Sequence, residues 1–244
     1  MYERMAEILD DLVQSIAACP PEAADDCLTT HFPMKGKAYS GELMVVGRAV
    51  NGDKTCWKPN EAQSPEWRSQ RIDEWIKKGT SDERCPLEWV GRAWGRIEQG
   101  KRNSKMSAFW RVVGEVSRSL TGNAENWWSH LVWSNLYKVA PSKGWNPRSG
   151  LRRTQKPFCK RHLAEEFRLW KPKRILFLTG RNWARSFIRS VGTPIGIKVE
   201  GLVQWAGNLE FPDGTLSQVV VCVHPMGKPE DQLVREVLNS FATT

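Results

Sequence analysis

The chain is 244 residues long, enough to bury one sizeable core, and α/β domains of this length are commonly single. Lysine and arginine number 36 against 27 aspartate and glutamate, a net charge of +9 that favours a polyanionic partner such as nucleic acid over an acidic metabolite. There is no signal peptide and no apolar run near about eighteen residues, so a soluble, cytoplasmic protein without membrane contact is expected.

Met5, Ile8, Leu9, Leu12, Val13 and Ile16 recur at helical spacing, predicting an amphipathic N-terminal helix within residues 1–20, ended by Cys19-Pro20-Pro21. A polar loop through His31 follows. Glu42-Leu43-Met44-Val45-Val46-Gly47-Arg48 then has the form of a first buried strand closing on a polar turn. Residues 53–105 read as a Trp-rich insertion, charged and weakly periodic, in which only Pro65–Lys77 is predicted helical. Ser107–Leu120 is a helix closed by Thr121-Gly122, and a strand starts at Leu131. Pro157–Trp170 is predicted as a helix stopped before Lys171-Pro172, Lys173–Gly180 as a buried strand and Arg181–Val191 as a helix. Alternation over 196–217, with a turn at Asp213-Gly214, predicts antiparallel hairpin strands; Gln218–Val223 is the last core strand and Pro229–Phe241 the last helix. Strands alternating with helices predict a single domain over 1–244, a three-layer α/β/α sandwich around a mostly parallel sheet.

The strand from Leu131 carries an anomaly. Its apolar run is broken by Ser134-Asn135, and it ends among Pro141, Gly144, Asn146 and Pro147 mixed with Lys138, Lys143 and Arg148. A strand thus delivers its carboxyl end into a basic loop, where ligands of open α/β sheets sit. Asn135 either caps a turn or reads the hydrogen-bonding edge of a base with its adjacent donor and acceptor. Two more strand ends are unusual, Gly47-Arg48-Ala49-Val50-Asn51-Gly52-Asp53 and His224-Pro225-Met226-Gly227-Lys228, and in a parallel sheet all of them open on one edge. Each has an ordinary alternative, a Gly-rich turn or a loop-capping histidine. Of the 13 Trp, most are explained by core packing, and one or two of Trp57, Trp110, Trp145 and Trp183 could stack on a base. The 6 cysteines, Cys19, Cys27, Cys56, Cys85, Cys159 and Cys222, show neither CxxC nor zinc-like spacing and suit a reduced compartment.

Ser134-Asn135-Leu136-Tyr137-Lys138-Val139-Ala140-Pro141, with Asn146-Pro147 after it, resembles the uracil-DNA glycosylase superfamily strand "I-T-N-V-V-K-x-R-P-P-x-N-R-x-P". The loop at 47–53, the Asn strand and the His-Pro of Val223-His224-Pro225 recur in that superfamily's order. Cys159 to Gly180 resembles its iron–sulfur branch, although Val139 and the missing N-terminal CxxC leave too few cysteines, so no cluster, metal or other cofactor is expected. The resemblance covers about residues 41–240. It implies hydrolysis of an N-glycosidic bond on a nucleotide extruded from double-stranded DNA, by a monomer. His224 would stabilise the departing base, and Asn51 or Asp53 would place the water. Asn135 and Ala49 would hold the base, with Trp57, or else Trp67, stacked on it. Arg48, Lys138, Ser142, Lys143, Gly227 and Lys228 would hold the DNA backbone.

The polar first loop with Arg48, which lacks the proline of "G-Q-D-P-Y", and the Trp-rich insertion at 53–105 favour a bulky modified cytosine over uracil, while the missing carboxylate at the loop's third place leaves a carboxylate-activated water to Asp53 or to none. Relatives that remove glucosylated hydroxymethylcytosine from phage DNA as antiviral defence fit these departures. The alternatives are repair of uracil or another deaminated base, a catalytically silent DNA-binding module, and a doubly wound nucleotide enzyme. The last is disfavoured by the absence of GxxxxGK[ST] and GxGxxG.

Overall fold

A computed structural model describes residues 1–18, 27–50, 56–94, 103–144 and 146–243. In chain order they form α1 (Glu3–Ala18), β1 (Leu28–Thr30), β2 (Met34–Lys35), β3 (Leu43–Ala49), α2 (Pro65–Thr80), α3 (Glu88–Arg92), α4 (Ala108–Thr121), β4 (Leu131–Tyr137), β5 (Val139–Pro141), α5 (Ser149–Trp170), β6 (Arg174–Leu178), α6 (Arg181–Val191), β7 (Thr193–Lys198), β8 (Val203–Glu210), β9 (Leu216–Cys222) and α7 (Glu230–Thr243).

β3, β4, β6 and β9 have near-continuous apolar runs, the pattern of strands covered on both faces, and they form the middle of a seven-stranded sheet ordered β2-β4-β3-β6-β9-β8-β7. The β4–β3, β3–β6 and β6–β9 ladders are parallel, whereas β2–β4, β9–β8 and β8–β7 are antiparallel. The sheet is therefore mixed rather than mostly parallel. The antiparallel hairpin strands legible at 196–217 extend this sheet at its β9 edge.

Side-chain alternation splits the core. Val132, Leu136, Met44, Val46, Ile175, Phe177, Val219 and Val221 pack on the side of α1, α2, α5 and α6, while Leu131, Val45, Leu176, Leu178, Val220 and Cys222 pack against α4 and α7. Helices so cover both faces.

Local chemistry sets most boundaries. Ser64 caps α2 by accepting the Trp67 N–H at 3.2 Å, with Pro65 in the first turn where its missing N–H costs nothing. Gly122, at φ 69°, closes α4 in the left-handed conformation that an L side chain resists. Two expectations need correction. α5 starts at Ser149, not at Pro157, because Leu151 and Gln155 are buried with Cys159 and Leu163 along one face, and this packing outweighs the hydrogen bond that Pro157 removes. The segment through His31 is no polar loop: Thr29, Thr30 and His31 are buried, and β1 pairs antiparallel with β5.

The expectation of unpaired cysteines is also overturned. Leu28 and Trp57 exchange backbone hydrogen bonds of 2.8 Å each, which brings the neighbouring Cys27 and Cys56 together as a disulfide. Among the described residues no helix is long and apolar enough to cross a membrane.

Candidate functional site

The parallel ladders carry the carboxyl ends of β3, β4, β6 and β9 to one rim of the sheet, so Gly47-Arg48-Ala49, Asn135, Thr179-Gly180 and His224 all open on the same side. Asn51 and Asp53 lie outside the described residues.

Asn135 sits opposite Gly47 in the β3–β4 register and is 1% exposed. A side chain at position 47 would begin 2.4 Å from Asn135 Oδ1 and 3.4 Å from the Phe109 ring, so glycine there is what lets the amide lie across β3. The Asn135 Nδ2 donor is enclosed and has no partner among the described residues. Buried donors are almost always satisfied, because leaving one unmade costs about 1–3 kcal/mol. An orphan donor at a strand-end rim is therefore suited to a ligand acceptor. Phe109, in the first turn of α4 and locked edge-on against Trp110 at 5.1 Å, is the aromatic ring beside that amide. Its place in the helical core pattern of α4 hid it in the sequence.

His224 is partly buried, and burial, followed by the charge of Arg48, lowers its pKa. The ring is neutral at pH 7. The Met226 N–H donates to His224 Nδ1 at 3.3 Å, which leaves the ring proton on Nε2 as a hydrogen-bond donor. Met226 itself, 73% exposed, stands on the same loop beside Gly227, whose φ of 69° makes the turn. An exposed apolar side chain next to a polar rim is a feature the sequence analysis passed over. Glu230 is not free to act as a base here, because Arg111 grips both its oxygens at 2.5 and 2.7 Å.

Lys138 requires a correction. Expected to hold a phosphate, its side chain is 0% exposed and cannot reach a strand. Its Nζ donates to Ser134 Oγ and to the Asn135 carbonyl, both at 2.8 Å, and pairs with Glu166 Oε1 at 2.5 Å. His162 Nδ1 lies 2.7 Å from the same oxygen. Burial pushes the Glu166 carboxyl up, but Lys138 and His162 together overcome it and hold the group at about 2. Burial, reinforced by Lys138, pushes His31 down to about 3, and burial likewise lowers His162 against the pull of Glu166. The ion pair therefore clamps the β4 main chain at Asn135 from the α5 side while the Asn135 amide faces α4.

Trp57 also requires one. Its ring is 2% exposed, with Nε1 donating to Thr30 Oγ1 at 2.8 Å, so it belongs to the core and cannot stack on a base. Trp67, the alternative, packs between Trp57 and Trp75 at 5.8 and 6.4 Å. Ala49 and Ser142 are partly buried, the Ser142 N–H donating to the Cys27 carbonyl at 2.8 Å, while Lys143, Gly227 and Lys228 are exposed. Arg48 donates from Nε to the Thr179 carbonyl at 2.7 Å. Cys159, the remnant of a cluster ligand in sequence, is fully enclosed and takes the Lys138 N–H at 3.4 Å; burial raises its thiol to about 12, and this setting does not fit an iron–sulfur cluster. A cavity of about 600 Å³ lined by Lys37, Glu88, Arg92, Trp94 and Trp128 lies at the opposite, amino-terminal end of β4, away from this rim.

No family model matches the chain, and no curated protein matches it.

Proposed function

We propose that the protein is a DNA glycosylase of the uracil-DNA glycosylase type that hydrolyses the N-glycosidic bond of a flipped, bulky modified cytosine and leaves an abasic site. The observation that carries this reading is the enclosed, unpartnered Asn135 amide at the strand-end rim. A donor of that kind is satisfied by the acceptor edge of a base turned out of its helix, at an unstacking cost of about a few kcal/mol. Phe109 supplies the stacking face in place of Trp57. Bond cleavage builds negative charge on the departing base, and the neutral His224, with its proton on Nε2, donates a hydrogen bond toward it.

Met226 is the apolar wedge that fills the gap in the stack, and Lys143, Gly227, Lys228 and Arg48 meet the backbone. The water is assigned to the loop at Asn51–Asp53. Preference for a modified cytosine such as the glucosylated hydroxymethyl form, and with it a role against phage DNA, rests on the proline-free loop around Arg48 and on the resemblance.

The test is incubation with oligonucleotides carrying uracil, hypoxanthine, hydroxymethylcytosine or its glucosylated form, followed by hot alkali. Strand breaks confined to a modified cytosine, and abolished by Asn135→Ala and His224→Ala, support the proposal. Breaks at uracil alone move it to repair. Binding without breaks would make the protein a silent DNA-binding module.

A further inference from the structure

Two guanidiniums at the rim share one aromatic ring, and neither has an acidic partner among the described residues. Arg48 Cζ lies 5.1 Å and Arg152 Cζ 5.0 Å from the Trp183 ring centroid. Trp183 in turn packs edge-to-face with Tyr137, ring centroids 5.7 Å apart. These residues come from separate elements, the end of β3, the first turn of α5 and the first turn of α6, so the fold assembles them. Among the described residues neither arginine forms an ion pair, although most other buried or half-buried basic groups here do, such as Arg68 with Asp10 at 2.7 Å, Arg111 with Glu230 at 2.5 Å and Lys138 with Glu166 at 2.5 Å.

Arg48 spends its Nε on the Thr179 carbonyl, and its terminal nitrogens have no partner among the described residues. Arg152 Nε is enclosed and has no partner among the described residues. Gly180, at φ 84°, keeps the backbone next to Arg48 free of a side chain, in a conformation that favours glycine. Guanidiniums carried on one ring, with forked donors and no carboxylate partner among the described residues, suit a tetrahedral oxyanion, since planar guanidinium forks match phosphate geometry. By side-chain alternation Arg48 faces the α5 and α6 side of the rim, whereas Gly47 and Asn135 face α4, so these arginines lie beside the base position rather than in it.

We propose that Arg48 and Arg152, both carried on Trp183, form an anion subsite that grips one phosphodiester of the strand from which the base is turned out. The proposal deepens the glycosylase reading, on which it rests for the strand but not for the chemistry. Arg152 and Trp183 then set the register of the strand on the rim.

The experiment uses full-length protein and fluorescent oligonucleotides carrying a stable abasic analogue, with binding read by anisotropy across a salt series. Arg152→Gln is expected to weaken binding roughly tenfold and to reduce the salt dependence by about one phosphate contact. Oligonucleotides with an uncharged methylphosphonate at one linkage at a time locate the contact: one position weakens the wild type by a similar factor and leaves Arg152→Gln unaffected. Additive losses at every linkage, or an unchanged salt dependence, overturn the proposal. So does full strand affinity in Arg152→Gln with a loss confined to competition by a nucleoside 5′-monophosphate, because the subsite would then take a free phosphate. Should Arg152→Gln melt early, Arg152→Lys takes its place, and the same linkage then weakens it by less than it weakens the wild type. Coupling to one linkage in a protein that releases no base would remove the glycosylase reading and leave the subsite standing.

Discussion

Replacing Lys138 by methionine removes the ammonium that holds three partners, Ser134 Oγ and the Asn135 carbonyl at 2.8 Å and Glu166 Oε1 at 2.5 Å. Both charged side chains are 0% exposed, so solvent cannot take over from the lost partner. Removing one member of a fully buried pair leaves an uncompensated charge and costs about 3–5 kcal/mol, whereas replacing both by apolar groups is often close to neutral. Lys138→Met alone is therefore expected to lower unfolding free energy by about 3–5 kcal/mol, and Lys138→Met with Glu166→Leu to recover at least about half of that. The assay is urea unfolding followed by tryptophan fluorescence, with midpoints compared at equal slope. A loss under about 1 kcal/mol in the single variant, or strictly additive losses in the double variant, would refute the buried clamp.

Four further outcomes are expected. His31 is held neutral, with its folded pKa near 3 against an unfolded value of about 6.5, so its contribution is complete above 6.5 and is lost as pH falls. Unfolding free energy should drop by about 2 kcal/mol between pH 7 and 5 on this account, and a urea series on His31→Phe should lack that share of the slope. The Cys27–Cys56 bond closes a segment with a sequence separation of 29, so reduction should cost about 3–4 kcal/mol, read as a lower melting temperature with dithiothreitol and two extra titratable thiols. Gly47→Ala puts a methyl 2.4 Å from Asn135 Oδ1 and, like Asn135→Ala, should reduce base release by about a hundredfold or more. Base release that survives the extra methyl at wild-type rate counts against the Asn135 assignment. Because burial and then Arg48 depress the His224 pKa, Arg48→Gln should shift the acid limb of the pH–rate profile to higher pH. An unmoved limb means His224 is not the group titrating.

The order of elements was legible because β3, β6 and β9 carry unbroken apolar runs and α1 and α4 carry clean helical spacing, signals that survive without tertiary context. β1, β2 and β5 span only 3, 2 and 3 residues, too short for any periodicity, and exist because their partners do. Pro157 disguised the start of α5, since proline is commonest in a first turn and an interior one shows only once the packing of Leu151 and Gln155 is known.

At the rim, Asn135 and His224 stood out as polar residues at the ends of apolar strands. Lys138 was misjudged because a lysine in a basic loop looks solvated. The correcting signal was present: Ser134 and Lys138 share one side of the chain with apolar Leu136, and His162 and Glu166 are four apart on the buried stripe of α5. Trp57 misled for the opposite reason, the neighbouring Lys58 being exposed while its own ring fills the core. The Cys27–Cys56 bond depends on the Leu28–Trp57 pairing, which no local pattern encodes. Phe109 and Arg152 gained their roles from neighbours distant in sequence.

The most direct measurement is mass spectrometry of the free bases released when the protein meets phage DNA rich in glucosylated hydroxymethylcytosine. The account predicts a released modified cytosine in amounts equal to the abasic sites formed, and none with Asn135→Ala. DNA that is bound yet yields no free base would contradict it.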